Sequence, residues 1–405
     1  MQVQLDTRST ARLDGIDGLR VLAALGVLVF HVAGVVGLQY GTGALAWLMA
    51  RGEARVAIFF AISGLLLYQP WARSLLTEGG PPSARTFLTR RLLRIFPLYW
   101  LVAVTCLVAY NLPQIRDAWD WVKVLLLVHL FDPSPWWPGA QLGPIGLQQM
   151  WTLAVDLSFY LVLPLLAWGL AKLARRGDPT PDQRAVRVLV MLGVLSVASF
   201  GYLFVVHFPG YTMQLDWILP RYFPWFAVGM ALCVLRVWAR AGTPLSERVG
   251  RACSELARNA GICFALAALI FGLAATELGG PKVPGGWPEI QHSAFRLLAY
   301  TLMALLLIAP VAFQPPGRTR VNLVLGNRAM VWLANLSYGL FAWHILLLWL
   351  YYDLTGRPYL DMAFFPVLLP VLIGSLAMAW VTYHLVERPG RILGKRIERA
   401  WAKPR

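Results

Sequence analysis

The sequence predicts an all-α integral membrane protein, a bundle of about ten transmembrane helices formed by a single domain over residues 1–405. Of the 405 residues, 58% are hydrophobic and 14% are charged, whereas soluble domains carry roughly 25% charged residues. Apolar runs of about 20 residues recur along the chain, and a helix of that length crosses a bilayer. This composition excludes a soluble Rossmann enzyme, a nucleic-acid-binding domain and a disordered regulator.

The placement of the basic residues explains the net charge of +16. Of the 36 Lys and Arg residues, 28 lie in alternate loops and near the two termini. Cytoplasmic loops of membrane proteins carry such an excess of positive charge. We therefore expect both termini to lie in the cytoplasm.

Ten apolar segments are predicted to span the bilayer, and most of them are separated by short loops. They cover roughly 19–38, 56–70, 96–112, 150–171, 188–206, 217–235, 259–276, 293–313, 330–352 and 362–385. Ten crossings return the chain to its starting side, in agreement with the basic C-terminal tail. No appended soluble domain is expected after Glu387.

The longest outer loop is predicted between the third and fourth spans, over 111–149. Its apolar stretch, 122–131, is too short to cross a bilayer, so we expect a re-entrant or interfacial helix there. Trp136 and Trp137 follow, and Trp151 begins the next span. These rings have the shape to stack on a sugar, although tryptophan is also common at membrane interfaces.

The four cysteines, Cys106, Cys233, Cys253 and Cys263, show no CxxC spacing and fall within or on the cytoplasmic side of predicted spans. Neither a disulfide framework nor a metal site is predicted from them.

Arg20 and His31 form the clearest pair of functional candidates, because ionisable residues inside spans are costly and mark functional sites. Eleven residues make three helical turns with about 20° left over, so both side chains emerge on one face, about 16 Å apart along the axis. Arg20 then lies at the cytoplasmic mouth and His31 beyond mid-membrane. The alternative is an interfacial arginine and a histidine that only bonds neighbouring helices.

Asp156 and His344 are predicted to reach a depth similar to that of His31. A hydrogen bond from His31 to Asp156 would fix the imidazole tautomer and favour proton acceptance. The competing interpretation of Asp156 is a structural ion pair with Arg55 or Arg221. His344 follows Trp343, and a histidine in such a setting is more often packed than catalytic.

Arg90, Arg91 and Arg94 precede the third span on the predicted cytoplasmic side. Such clusters often contact anionic lipid. Guanidinium groups also clamp phosphates through paired hydrogen bonds, so an anionic cofactor is the second interpretation. Glu387 closes the last span at the same face, where it could bind the cofactor or neutralise an arginine.

Taken together, these residues resemble the acyltransferase-3 family of membrane O-acyltransferases. The resemblance rests on six motifs in the family's order: Arg20-x10-His31, Phe59-Phe60-x-x-Ser63-Gly64, Arg91-x-x-Arg94 before Phe96-Pro97-Leu98-Tyr99-Trp100, Trp151-Thr152-Leu153-x-Val155-Asp156, Ser337-Tyr338 through His344, and Glu387-Arg388-Pro389. One position departs from the family, which usually carries two adjacent acids where this chain has Asp156 followed by Leu157.

The resemblance implies transfer of a short acyl group, most commonly acetyl, from acetyl-CoA or another acyl-CoA to a hydroxyl of an envelope glycan or glycolipid. His31 is then the general base, with Arg20, Asp156 and His344 as its catalytic partners. Arg90, Arg91, Arg94, Arg20 and Glu387 are the expected coenzyme A ligands. A multi-pass protein of the bacterial plasma membrane that uses no metal and binds no nucleic acid is expected.

Two other functions remain open from the sequence. A transporter or flippase also tolerates buried arginine and histidine, but usually shows internal repeats or paired broken helices. A glycosyltransferase that uses a lipid-linked sugar would want an acidic pair in the first outer loop. That loop offers only Glu53, between Arg51 and Arg55.

Overall fold

A computed structural model describes residues 13–77, 79–132, 134–137, 142–282, 289–315 and 317–401. All regular structure within these ranges is helical, which confirms the predicted fold class. The predicted cytoplasmic ends at 1–12 and 402–405 lie outside the described residues, as do 133 and 138–141 of the predicted outer loop.

Seventeen α-helices account for most of the described residues, and short 3₁₀ or π-helical turns join several of them. They are α1 Asp14–Val35, α2 Ala44–Met49, α3 Ala54–Leu67, α4 Gln69–Leu76, α5 Ala84–Cys106, α6 Ala118–Leu125, α7 Trp151–Ala174, α8 Pro181–His207, α9 Met213–Asp216, α10 Leu219–Trp238, α11 Pro244–Arg258, α12 Ala260–Ala274, α13 Ile290–Ala312, α14 Arg320–Leu325, α15 Arg328–Thr355, α16 Phe364–Thr382 and α17 Arg388–Trp401.

The number of spans differs from the ten that the sequence predicts. Among the described residues, eight helical stretches are long and apolar enough to cross a membrane, and the bent pair α11 and α12 makes a ninth if it is one span. The predicted span 56–70 corresponds to α3, which has 14 residues and is shorter than the roughly 17 that a span needs. Helix α3 packs against α1, α10 and α13, so burial within the bundle accounts for its apolar sequence.

The predicted re-entrant or interfacial segment corresponds to the short helix α6, which begins at Ala118 and ends at Leu125. Asp117 caps it, because its carboxylate accepts hydrogen bonds from the backbone N–H groups of Trp119 and Asp120 at 2.9 and 3.0 Å. Eight residues rise only about 12 Å, which is too little to cross the membrane.

Two glycines allow α3 and α10 to pack in direct backbone contact at the centre of the bundle. A Cβ atom on Gly64 would collide with the carbonyl oxygen of Phe226, and one on Gly229 would collide with that of Ala61. Membrane helices approach closely where small residues face each other. This contact fixes one wall of an internal cavity, and α1, α5, α7, α13 and α15 also line it.

Candidate functional site

A cavity of about 570 Å³ runs through the bundle from one end of α1 towards the other. Arg20, on the second turn of α1, lines one end of the cavity. His31, on the last turns of the same helix, lines its wall three turns further along. Arg51, which follows α1 in the chain, lines the opposite end. The predicted helical face of Arg20 and His31 is therefore the face that lines the cavity.

His31 and His344 are in direct contact, with 3.1 Å between His31 Nδ1 and His344 Nε2. His31 Nδ1 also lies 2.9 Å from the carbonyl oxygen of Val27, and His344 Nδ1 lies 2.7 Å from that of Phe341. A carbonyl oxygen only accepts hydrogen bonds, so we assign the proton of each neutral ring to Nδ1. His31 Nε2 is then left with a free lone pair.

This arrangement makes His344 the residue that orients His31. His344 is 1% exposed, and its Nε2 accepts from the same His31 N–H that Val27 accepts from. Together the two acceptors fix the ring and the tautomer of His31. The sequence predicted both histidines for one site, and the structure brings the two rings into contact.

Asp156 has different neighbours from those that the sequence suggested. His31 bonds to Val27 and His344, so the expected pairing of His31 with Asp156 is replaced by the histidine pair. Asp156 lines the cavity and forms a hydrogen bond with Ser63.

Among the described residues, Asp156 forms no ion pair with Arg55 or Arg221, and Arg221 pairs with Asp216 at 2.9 Å instead. The arginines that act on Asp156 are Arg94, Arg91 and Arg20. Asp156 lies about one and a half turns after Trp151, the first residue of α7.

A second cavity of about 600 Å³ adjoins the arginine end, and we call it the basic vestibule. Its charged lining comprises Asp17, Arg20, Arg90, Arg91, Arg94, Arg236, Arg391 and Lys395. Seven cations face one carboxylate, and the Asp17 carboxylate lies 3.6 Å from Arg20. The buried Nε atoms of Arg91 and Arg391 have no hydrogen-bond partner. The vestibule therefore fits a multiply charged anion.

Arg20, Arg91 and Arg94 line both the cavity and the basic vestibule, so they join the two spaces. Arg90 lines only the vestibule, where it forms an ion pair with Glu398 of α17.

Glu387 is 1% exposed and accepts a hydrogen bond from Arg391 at 3.0 Å. It does not appear among the residues that line the vestibule. Among the described contacts, Glu387 thus neutralises Arg391, and a role as a direct ligand is not supported by its position.

Trp151 is the one of the three candidate tryptophans whose side chain lines the cavity. Its ring packs against that of Trp217, with centroids 4.5 Å apart. Trp136 and Trp137 pack on each other at 5.6 Å, and Trp137 also contacts His129 at 5.7 Å. These contacts place Trp136 and Trp137 in the packing of the outer segment.

A group of charged residues at the end opposite the vestibule was not singled out from the sequence. This far-end cluster consists of Arg51, Glu53, Asp216, Arg221, Lys282 and Arg296, all of which line the cavity. Arg221 and Arg296 lie inside α10 and α13, so their charge within predicted spans was the available signal. Within the described residues, no three His, Cys, Asp or Glu side chains converge as metal ligands.

Comparison with known proteins agrees with the resemblance. A family model described as an acyltransferase domain, of the acyltransferase-3 type, matches residues 13–384. The chain is 25% identical over 400 residues to "Putative peptidoglycan O-acetyltransferase YrhL" of Bacillus subtilis, which covers 95% of the chain and 56% of that protein.

The chain is also 26% identical over 231 residues to "O-acetyltransferase OatA" of Staphylococcus aureus, and this match covers 50% of the chain and 33% of that protein. The chain thus spans about half or less of the length of these curated relatives, and no solved structure matches it. Because the family model covers nearly all of the described residues, the chain belongs to the acyltransferase-3 family of multi-pass membrane O-acyltransferases.

Proposed function

We propose that the protein transfers a short acyl group, most commonly acetyl, from acyl-CoA to a hydroxyl of an envelope glycan or glycolipid on the opposite side of the bacterial plasma membrane. The observation that carries this proposal is the route through the molecule. The basic vestibule and the cavity share Arg20, Arg91 and Arg94 in their walls, and the lining of the cavity extends from these arginines past His31 to the far-end cluster. Two substrates can thus meet at His31 from opposite ends.

The donor is assigned to the vestibule because coenzyme A carries its phosphates at one end and its thioester at the other. Guanidinium groups of Arg20, Arg91 and Arg94 can bind those phosphates in pairs of hydrogen bonds. The pantetheine arm then follows the face of α1 over the roughly 16 Å between Arg20 and His31. This places the thioester at the imidazole.

The chemistry follows from the free lone pair of His31 Nε2. As the acceptor oxygen attacks the thioester carbonyl, His31 takes the hydroxyl proton, and a tetrahedral intermediate forms. The intermediate collapses by breaking the C–S bond, and His31 returns the proton to the coenzyme A thiolate. General-base help of this kind is typically worth about 100- to 10,000-fold.

Several observations support a glycan as acceptor. Two curated relatives are named O-acetyltransferases, and one of these names specifies peptidoglycan. Beyond His31, the rings of Trp151, Trp217 and Tyr222 line the cavity. Flat aromatic faces suit the apolar faces of sugar rings.

The test uses the purified protein in lipid nanodiscs, labelled acetyl-CoA and an envelope glycan extract. The proposal predicts release of free coenzyme A together with label on a glycan hydroxyl. A flippase would move solute without consuming thioester. A glycosyltransferase would instead release a lipid phosphate from its sugar donor.

Oriented vesicles test the sidedness. Acyl-CoA supplied only to the face that carries the vestibule should acylate an impermeant acceptor confined to the other face. Turnover that requires both substrates on the vestibule side would contradict transfer across the membrane, and would indicate acylation before export.

A further inference from the structure

We propose that the acceptor carries an anionic group, a carboxylate or a phosphate, that binds to Arg221 and Arg296 in the far-end cluster. This inference rests on the proposed function, because it assigns the far end of the cavity to the acceptor. It adds the chemical class of the acceptor, an acidic or phosphorylated glycan, to the proposal.

The first observation is an imbalance of charge at this end. The far-end cluster contains four cations, from Arg51, Lys282, Arg221 and Arg296, but only the two carboxylates of Glu53 and Asp216. Buried charges are costly unless they are paired. A ligand that brings negative charge would supply the missing counterion.

Backbone carbonyls hold two of the cations without neutralising them. Arg51 is 2% exposed and donates to the carbonyl oxygens of Ala274 and Gly280. Lys282 donates to the carbonyl oxygen of Gly41 at 2.9 Å, and its ammonium lies over the ring of Trp47. These hydrogen bonds fix both groups in place while their charge remains available to the cavity.

The second observation is a pair of buried guanidinium donors with no partner. Arg221 donates from Nε to Asp216 at 2.9 Å and from Nη2 to the carbonyl oxygen of Ser293 at 3.3 Å. Its Nη1 is buried without a hydrogen-bond partner, and the side chain as a whole is only 7% exposed. Tyr211 donates to the other carboxylate oxygen of Asp216 at 2.9 Å, so both oxygens of Asp216 are already engaged.

Arg296 shows the same pattern on the neighbouring helix. Its Nη1 lies 3.2 Å from Glu53, a carboxylate that also accepts from the hydroxyl of Tyr300 at 3.0 Å. The Nε atom of Arg296 is buried without a partner. Two cavity-lining arginines from α10 and α13 thus each keep one free donor, which is the arrangement that an incoming oxyanion satisfies.

Aromatic rings beside these donors explain why the anion belongs to a sugar. Trp217 lines the cavity next to Trp151, and its buried indole N–H has no hydrogen-bond partner. Tyr222 packs 5.3 Å from Trp151, and the guanidinium of Arg221 lies over the ring of Tyr222 at 5.5 Å. A sugar ring can stack on these faces while its acidic substituent reaches the arginines.

The experiment measures binding in nanodiscs without any acyl donor, so its result does not depend on catalysis. Three probes are compared: cellobiose, the same disaccharide with a glucuronic acid at its non-reducing end, and cellobiose 6'-phosphate. The wild type should bind at least one acidic probe about tenfold or more tightly than cellobiose. The better of the two acidic probes identifies carboxylate or phosphate as the recognised group.

Two variants test the residues. Arg296→Gln should weaken binding of the acidic probe about tenfold and leave cellobiose unchanged, and Glu53 keeps its hydrogen bond from Tyr300 in this variant. The double variant D216N/R221Q should also weaken binding of the acidic probe about tenfold and leave cellobiose binding unchanged. It removes both charges of the Asp216–Arg221 ion pair, so no carboxylate is left unpaired. Arg357→Gln, in a partly buried pair with Asp361 that does not line the cavity, is the control with no expected effect.

Equal affinity for all three probes, or unchanged affinity in both variants, would overturn the inference. Weaker acyl-CoA binding in either variant would overturn it as well, since the cluster would then serve the donor. Tight binding of the acidic probe without any thioester consumption would instead contradict the proposed function and leave the anionic glycan site standing.

Discussion

His31→Gln should abolish acyl transfer while leaving acyl-CoA binding intact. The substitution removes the lone pair of Nε2 but keeps a polar side chain of similar reach on the cavity wall. Loss of a general base costs about 100- to 10,000-fold, which corresponds to roughly 3 to 5 kcal/mol of transition-state stabilisation. The phosphates of the donor are assigned to arginines about 16 Å away, so the dissociation constant of acyl-CoA should not change.

The assay has three parts: transfer rate under saturating donor, acyl-CoA binding by titration calorimetry, and elution of the variant as a monodisperse protein. His384→Ala, an exposed histidine of the last span, is the matched control with wild-type activity expected. A folded His31→Gln variant within about tenfold of wild-type activity would refute the general-base assignment.

A second test concerns His344, for which we propose the role of accepting a hydrogen bond from His31. His344→Gln keeps a side-chain carbonyl that can accept, whereas His344→Leu has no acceptor. We expect the Leu variant to lose about ten times more kcat than the Gln variant, with KM unchanged in both, since Val27 still accepts from His31. Equal losses in the two variants would reduce His344 to a packing residue.

Three further measurements test other parts of the protein. Arg91→Ala should weaken acyl-CoA binding about tenfold, and the loss should be smaller at high salt because salt screens the charge. Unchanged acyl-CoA binding together with altered membrane insertion would show that Arg91 sets the topology and does not bind the donor. Gly229→Leu should lower the free energy of unfolding by about 1 to 3 kcal/mol through overpacking. Gly201→Leu is the control, because a Cβ atom at Gly201 would meet no neighbour, and its free energy of unfolding should not fall. Equal melting temperatures of the two variants would contradict the close contact between α3 and α10. Arg116 lowers the pKa of Asp120 through a hydrogen bond, so this pair should stabilise α6 at neutral pH and lose its effect below about pH 4. Hydrogen exchange of the α6 amides measures this loss of stability. A pH response in Asp120→Asn equal to that of the wild type would contradict the prediction.

The parts of the site that the sequence could predict are those that lie on one helix. The spacing of Arg20 and His31 fixes a common face of α1, because a helix repeats every 3.6 residues. Arg91 and Arg94 were found for the same local reason, as a cluster in the third turn of α5. Both predictions use geometry within a single element, and the cavity lies along those faces.

Relations between helices could not be predicted in this way. The sequence predicts that Asp156 and His344 both reach the depth of His31, and depth alone does not decide which of them faces it. The rotation of α7 and α15 about their axes depends on packing with neighbouring helices. That packing brings His344 to His31 and turns Asp156 towards Ser63 and the arginines.

The same limit applies to the far-end cluster and to the span count. Arg221 and Arg296 belong to α10 and α13, while Glu53 lies in the turn before α3, so only the folded bundle shows that they share a cavity. The sequence of α3 is apolar enough for a span. Its 14 residues are too few for a span, and most of them are buried against other helices, which accounts for their apolar character.

The distribution of charge along the cavity gives the proposed reaction its direction. Cations line both ends, in the vestibule and in the far-end cluster, while His31 lies on the wall between them with His344 packed against it. If the donor and the acceptor both carry their negative charge at one end, each charge stays with its own arginines, at opposite ends of the route. Only the neutral thioester and the neutral hydroxyl then have to enter the narrow centre, where burying an ion would be costly. The transfer step therefore requires just one proton to move, and His31 Nε2 is the group that can accept it there.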